Sequence, residues 1–576
     1  MNRLPLKPMK NTEIASLFSR IADALEIKGE GVFKVLAYRK AAAILEDFSE
    51  DIESLADEKK LQTIPGIGSG IAAKIEEYLK TGKMKKYGEA LSGIPKSLLE
   101  LLEVRSLGAK TAQLAHKELG VRNLEDLKKV IRDGSLAALP GMGDKRVGNI
   151  LKGIESYEKA QERVPVYVAL TLAEEVLAYL KDAPGIKRIS TAGSLRRMKE
   201  TVGDIDILAS GHDGAKIIRY FASHPKVIRV LAEGTTKGSV VLASESGERQ
   251  VDLRIVDDSA FGAALQYFTG SKAHNISLRG LAKDKGLKIS EYGVFRGAKK
   301  IAGRNEQEVY AALGLPLFPP EMREDRGEIE LALQGGLPEI VGYGDIRGDL
   351  HVHSDWSDGH VTLSGLADLA RRQGYSFLAV CDHSQAARYA GGLTPDRVRR
   401  QMKEITSLNN KLKGVRLLMG TEVDILADGS LDLPDELLAK LDVVVGSIHS
   451  GFKKNVTARM LKAMENPHLD IIGHPSGRLI SGREGYDVDL EAVLQGARRT
   501  GKALELNSYY DRLDLNELYL KKAKELGVSV SLGTDTHSSG GLQMMRFGVG
   551  IARRAWLEKS DILNCLSLAQ LKKKLK

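Results

Sequence analysis

Up to about residue 155, apolar positions fall at helical spacing in short blocks cut by glycine turns, with hardly any two-residue alternation. The pattern predicts short helices, and one connecting turn recurs. Ile64-Pro65-Gly66-Ile67-Gly68 precedes Ile71-Ala72-Ala73-Lys74-Ile75, and Leu139-Pro140-Gly141-Met142-Gly143 precedes Lys145-Arg146-Val147. A third copy, Ser106-Leu107-Gly108-Ala109-Lys110, carries serine in place of the first glycine. From about 160 to 258 the helices mix with β-branched strands such as Ile205-Asp206-Ile207-Leu208 and Gln250-Val251-Asp252-Leu253-Arg254-Ile255-Val256. A further segment runs to about 318. Leu315-Pro316-Leu317-Phe318-Pro319-Pro320 then stiffens the chain, and an acidic-basic stretch to about 345 is expected to be a linker. After it, apolar strands alternate with helical blocks to the end, as in an α/β barrel or open α/β sheet.

Composition narrows the partners. The 576 residues exceed one core, so three to five domains are expected. The hydrophobic fraction of 43% and charged fraction of 28% suit soluble domains, and a formal charge of +9 favours a polyanion. Only 5% is aromatic, which argues against extended stacking on bases as the main binding mode. Cys381 and Cys565 stand far apart with no second thiol nearby, so no disulfide framework is expected and a reducing cytosol fits. Met1-Asn2-Arg3-Leu4-Pro5 lacks the apolar core of a signal peptide, and no apolar run approaches membrane-spanning length. These features lead us to expect a cytoplasmic, nucleoid-associated protein with no membrane partner.

The glycine turns have their own chemistry. Gly66, Gly68, Gly141 and Gly143 let a tight turn open onto a helix N-terminus with bare N–H groups outward, a surface that takes a phosphate without reading a base. Together with the basic residue after each copy, they resemble the helix-hairpin-helix motif of DNA-repair proteins.

The sharpest short motif is Gly193-Ser194-Leu195-Arg196-Arg197, followed by Gly203-Asp204-Ile205-Asp206. Two-residue spacing on a predicted strand sends the Asp204 and Asp206 carboxylates to one face, and Asp252 lies on a second strand able to pair beside it. Three converging carboxylates hold hard divalent ions such as Mg²⁺ or Mn²⁺, and two such ions serve nucleotidyl transfer. Gly193 and Ser194 would open a helix toward a triphosphate, and Arg197 would add charge-assisted bonds.

This arrangement resembles the nucleotidyltransferase signature, and Arg197 narrows it to family X DNA polymerases such as polymerase beta. The resemblance implies that Asp204 and Asp206 bridge both metals and that Asp252 helps activate the primer 3′-hydroxyl. Tyr267-Phe268-Thr269-Gly270-Ser271, with Asn275 and Arg279, is similar to the family's nucleotide-selection segment. It implies Tyr267 and Phe268 at the sugar, Asn275 at the base's minor-groove edge and Arg279 at the template. Arg163 falls where the family has a triphosphate-contacting arginine. Lys74 occupies the Schiff-base position of the family's deoxyribose-phosphate lyase domain, with Gly70 where that lyase carries a neighbouring basic residue.

Eight of the twelve histidines follow residue 350, and most end an apolar strand. His351 and His353, His383, Glu422, His449, His474, and Asp535 with His537 close successive strands, so their side chains would meet at the C-terminal mouth of a barrel. The nitrogen–oxygen mix suits Mn²⁺, Zn²⁺ or Fe²⁺. With Asp358, standing where some relatives use histidine, these residues resemble the PHP (polymerase and histidinol phosphatase) domain, a distorted seven-stranded α/β barrel with up to three metals. The resemblance implies one metal on His351, His353, Glu422 and Asp535, a second on Glu422, His449 and His474, and a third on Asp358, His383 and His537.

Together the resemblances imply bacterial family X polymerases with a fused PHP domain. The expected division is a helix-hairpin-helix lyase-like DNA-binding domain at 1–85, a helical fingers-like domain at 86–158 and a nucleotidyltransferase palm at 159–258. A thumb at 259–318, a linker at 319–345 and the PHP barrel at 346–576 complete it. The implied function is filling of short gaps in base-excision repair, acting as a monomer on gapped or recessed DNA with dNTP. A PHP-borne Mn²⁺-dependent 3′–5′ exonuclease would accompany it, with abasic-site endonuclease or 3′-phosphatase activity as a further expectation. The rival readings are a purely structural barrel, a non-catalytic DNA-end-binding scaffold and a small-molecule phosphatase domain. The two sites are expected to work independently across the linker.

Overall fold

A computed structural model describes residues 10–46, 52–57, 59–64, 66–94, 97–98, 101–104, 107–161, 163–244 and 247–575. Pro65, Ser106 and the first nine residues, all invoked above, lie outside them. The described residues up to 161 are helical with connecting turns, as their periodicity predicts. The recurring glycine turn opens the helices Ser69–Thr81, Ala109–Leu119 and Asp144–Gln161. Ile14, Phe18, Leu45, Ile75, Leu107, Leu127 and Ile154 belong to one continuous core, so helices from both ends of this region pack together.

The palm follows. Short strand β1 (Val164–Pro165) leads into the helix Val166–Leu180 and β2 (Ile186–Thr191). After the helical turn Gly193–Arg196 come β3 (Thr201–Val202), β4 (Ile205–Gly211), β5 (Val227–Glu233), β6 (Lys237–Ser244) and β7 (Gly247–Val256). The five longer strands form a mixed sheet in the order β2-β4-β7-β6-β5, while β1 pairs with β3. The thumb contributes the helices Phe261–Thr269 and Lys272–Asp284 and a small antiparallel sheet of β8 (Lys288–Ser290), β9 (Gly293–Arg296) and β10 (Lys299–Ala302).

The stretch 319–345 is packed rather than draped over the surface. Met322, Arg323, Glu328, Ile329 and Val341 within it are buried.

The C-terminal region is a nearly closed barrel of seven parallel strands in sequential order. These are β11 (Gly348–Val352), β12 (Phe377–Val380), β13 (Arg416–Asp424), β14 (Val443–Ser447), β15 (Ile471–Ile472), β16 (Ala503–Asn507) and β17 (Val530–Gly533). Asp535 N–H donates to the His351 carbonyl at 2.9 Å and His353 N–H to that of Thr536 at 3.0 Å, drawing the last strand's exit beside the first. Strands covered on both faces read as unbroken apolar runs, as Val443-Val444-Val445 does. The right-handed β–α alternation brings every strand's C-terminal end to one mouth.

Candidate active sites

In the palm, β4 and β7 run parallel with Asp206 directly opposite Asp252, so both carboxylates leave the same face of the sheet. Asp204 differs from the strand placement expected of it. Gly203 and Asp204 form a bend before β4 starts, because the chain turns there out of β3. Burial pushes the Asp206 carboxyl up to about 6, helped by the negative charges of Asp252 and Asp204. Gly193 sits at φ 61°, and a Cβ on it would lie 2.2 Å from Asp206 Oδ2. Only glycine permits that approach, which places the helical turn containing Ser194 directly against the Asp206 strand.

The all-oxygen carboxylate set fits hard divalent cations, and a lysine ammonium lies against one of its members. Lys237 Nζ, from β6, lies 2.8 Å from Asp252 Oδ2, while Ser239 and Gln250 donate to Oδ1 at 2.7 and 3.0 Å. None of these three stood out in the sequence. Ser239 faces Asp252 across the β6–β7 pairing, a register that no single-strand pattern shows.

The arginines divide. Arg196 makes a bidentate pair with Glu306 at 2.8 and 2.6 Å and bonds Thr269 Oγ1, tying palm to thumb. Arg197 donates from Nη1 to the Thr269 carbonyl at 2.5 Å and from Nε to Glu324 at 3.0 Å. Arg163 donates to Thr201 Oγ1 at 3.0 Å and lies within electrostatic reach of Arg197 and Asp204.

In the thumb, Asn275 is buried, with its amide donating to the Tyr267 carbonyl at 2.8 Å and accepting from Gln266 at 2.7 Å. Arg279 Nε donates to the Asn275 carbonyl at 3.2 Å, so Tyr267, Asn275 and Arg279 form one patch. The Tyr267 and Phe268 rings meet edge-on at 5.2 Å, and Phe268 carries the Arg254 guanidinium over its face. Gly270 turns at φ 72° beside Arg197.

At the helical turns, Gly66 and Gly141 have φ of 94° and 77°, and Gly68 caps its helix with no side chain over the first N–H groups. The space around Gly68, Gly141 and Gly143 is open. Lys74 Nζ donates to the Gly70 carbonyl at 2.6 Å and lies 5.9 Å from the Tyr38 ring centre.

At the barrel mouth all nine expected residues converge. His353 Nε2 is 3.3 Å from His351 Nε2 and 3.2 Å from Asp535 Oδ1. Glu422 Oε2 lies 3.6 and 3.7 Å from those imidazole nitrogens and 2.9 Å from His383 Nδ1. Its Oε1 lies 3.3 Å from His449 and 3.1 Å from His474. Asp358 faces His383 at 3.5 Å, His537 at 3.3 Å and His353 Nδ1 at 3.8 Å. Eight of the nine fall into three overlapping groups, His353-Asp358-His383-His537, His351-His353-Asp535 and His383-Glu422-His449. His353 and His383 are thus each shared by two groups, Glu422 stands outside the His351 group, and His474 meets Glu422 from outside all three.

The charges fit metal ions. Burial raises the Glu422 carboxyl, but the surrounding imidazoles overcome that and hold it well below its usual range. Burial and the neighbouring His537 and His383 push His353 down to about 3, leaving it a neutral ligand. Buried His353 Nδ1 has no hydrogen-bond partner, and His383 Nδ1 and Glu422 Oε2, though 2.9 Å apart, lack hydrogen-bond geometry, the condition expected of atoms whose lone pairs face a cation site. Glu505 of β16 accepts from His351 Nδ1 at 2.7 Å and from the His474 N–H at 2.6 Å. Asn507 donates to Asp535 Oδ2 at 3.1 Å. Both sit on the one strand from which no ligand was expected. The Glu505-Leu506-Asn507 alternation was the available signal.

Family models agree with this anatomy. They match a helix-hairpin-helix domain at 9–84, a SAM-like helix-hairpin-helix tandem at 98–156, the DNA polymerase beta thumb at 264–324 and the PHP domain at 349–509. The chain is 40% identical over 573 residues to the DNA polymerase/3′-5′ exonuclease PolX of Bacillus subtilis (strain 168), covering 99% of this chain and 100% of that protein. It is 29% identical to DNA polymerase lambda of Rattus norvegicus, over 54% of this chain and 56% of that one. A probable phosphatase of Thermoanaerobacter sp. (strain X514) is 32% identical over 38% of this chain and 89% of its own length. A full-length relative, the thumb and helix-hairpin-helix matches, and the barrel's ligand set agree, so the chain belongs to the PolX family, family X DNA polymerases with a C-terminal PHP domain.

Proposed function

We propose that this chain fills short gaps in DNA from dNTP at the palm and trims 3′ ends at the barrel. The observation that carries the first half is the Asp206–Asp252 pairing with the Gly193 turn packed onto Asp206. Asp204, Asp206 and Asp252 would hold Mg²⁺ or Mn²⁺. The Gly193-Ser194 turn with Gly203, Arg197 and Arg163 would receive the triphosphate, and Tyr267, Phe268, Gly270, Asn275 and Arg279 would form the nascent-pair pocket. At the barrel, His351, His353, Glu422 and Asp535, then Glu422, His449 and His474, then Asp358, His383 and His537 would hold Mn²⁺, Zn²⁺ or Fe²⁺, with His383 close enough to Glu422 to join the second group.

Divalent ions bound at either centre supply positive charge to a developing anion and acidity to a bound oxygen. The chain's own residues do the placing. The first-turn N–H groups after Gly193 and the Arg197 guanidinium hold phosphate oxygens against the carboxylate strand, and Glu505 keeps the His351 ring oriented. The turns at Gly66, Gly68, Gly141 and Gly143 would grip the DNA backbone. Lys74, beside the first turn, would serve there as a phosphate contact or lyase nucleophile. The similarity to a probable phosphatase also supports 3′-phosphatase action at the same barrel mouth, and abasic-site endonuclease action would use the same residues.

The test is Asp206→Ala on a gapped primer. Nucleotide addition should disappear while DNA binding survives, because the phosphate-binding turns lie elsewhere. Substantial extension by the variant would overturn the assignment.

A further inference from the structure

The four residues Arg197–Glu200 join the phosphate-binding turn to β3, which leads to Asp204. The barrel or the segment before it touches each of them. The Arg197 carbonyl accepts from Arg554 Nη1 at 2.7 Å. Met198, at φ 52°, presses against Gly550, where an added Cβ would lie 2.7 Å from the Met198 methyl. Lys199 Nζ lies 3.9 Å from Glu324, and Glu200 takes a 2.6 Å contact from Arg478. Arg554 and Gly550 belong to one barrel helix, Met545–Arg554.

Arg554 is buried, and every nitrogen of its guanidinium is engaged. Nε and Nη2 donate to Glu517, the latter at 3.1 Å, while Nη1 reaches both the Arg197 carbonyl and Glu324 Oε1, the last at 2.9 Å. Glu324 Oε1 also accepts from Arg197 Nε. The result is an alternation of charge, Arg197–Glu324–Arg554–Glu517–Arg326, crossing from palm to barrel, buried at Arg197 and Arg554 and half-buried at Glu517 and Arg326. Buried charges need good partners on every side, so such a chain holds its members to one geometry. The Thr269 carbonyl fixes a second nitrogen of Arg197, and Nη2 makes no hydrogen bond among the described residues.

We propose that Arg554 is a positioning residue of the polymerase site, holding Arg197 through Glu324 and through the Arg197 carbonyl so that its guanidinium meets the nucleotide's phosphates. The barrel is then a built part of the nucleotide site as well as a second active site. This rests on the reading of Arg197 as a triphosphate ligand.

Gap-filling kinetics of the full chain test it, with Arg197→Ala, Arg554→Met, Arg554→Lys and the double variant Arg197→Ala/Arg554→Met. Arg197→Ala should raise KM for dNTP by about tenfold or more, the scale of one charge-assisted contact. Arg554→Met should raise KM in the same direction while 3′-end hydrolysis and DNA affinity stay near wild type, and Arg554→Lys should restore part of the loss. Because Arg554 acts through Arg197, the double variant should be no worse than Arg197→Ala alone. Additive losses, or an unchanged KM in Arg554→Met, would overturn the proposal. An unchanged KM in Arg197→Ala would instead sink the reading of Arg197. Should Arg554→Met not fold, Glu200→Gln, which loosens the same strip from Arg478, decides in its place. It should raise KM in the Arg197→Ala background less than in the wild type, and equal effects in both would overturn the proposal.

Discussion

Glu505 shows how one carboxylate sets the state of a neighbour. It lies 2.7 Å from His351 Nδ1, so a neutral ring that donates there would turn its Nε2 lone pair toward His353, Glu422 and Asp535. Glu505→Gln keeps the shape and loses the charge. Affinity for Mn²⁺, measured by competition with a chelator, should fall about 10- to 100-fold, the usual effect of such an outer partner. Unchanged affinity would mean that His351 is oriented by something else. Most of the expected ligands were legible in the sequence because they end apolar strands, where a histidine or acid is conspicuous, while Asp358, in the loop after β11, came from the family resemblance. Glu505 was not, since it lies within its strand and its role depends on which strand closes beside it. Lys237 and Ser239 escaped for the same reason: cross-strand register, not local pattern, brings them to Asp252.

Strands and turns were easier to read than their contacts. Two-residue alternation placed Asp206 and Asp252 on neighbouring strands, and the parallel pairing sets them opposite each other. It misplaced Asp204, because a bend obeys the chain's path between β3 and β4 rather than a period of two. The glycine turns were legible because φ near 94° and 77° at Gly66 and Gly141 demands glycine. The turn at Gly66 and Gly68 opens a helix whose first N–H groups carry no side-chain cap. A 5′-phosphate on the downstream side of a gap should therefore tighten binding roughly fivefold, the scale of ~1 kcal/mol for an anion at a helix N-terminus. The gain should shrink with salt as counterion release weakens. Titration of gaps with and without the phosphate checks this, and equal affinities would remove the turn from the binding site.

For the whole molecule, the stretch 319–345 was expected to separate two independent machines, yet palm and barrel share one core. Val166, Met198 and Leu253 belong to the same buried cluster as Leu378, Val444 and Phe547. Tyr167 stacks on Tyr510 at 4.5 Å, and Arg546 reaches Glu174 at 2.9 Å. Proline and mixed charge announced a break in pattern but carried no information about the surface the segment would meet. The two sites are therefore joined mechanically while their chemistry stays separate. His351→Ala with His353→Ala removes ligands at the mouth and leaves Arg478, Arg546 and Arg554, which grip the palm, in place. That double variant should lose 3′-end hydrolysis and retain gap filling to within about twofold, as for sites with no shared partner. A chain ending at residue 345 should behave in the opposite way to a detachable polymerase. It uncovers Tyr167 and Met198 and strips the buried Arg197–Glu324 pair of Arg554, so gap filling should fall together with thermal stability. Circular dichroism with primer extension on both chains separates the outcomes. Full gap filling by the truncated chain would show that the shared core is packing alone, and residual 3′-end hydrolysis by the folded double variant would place the nuclease outside the barrel.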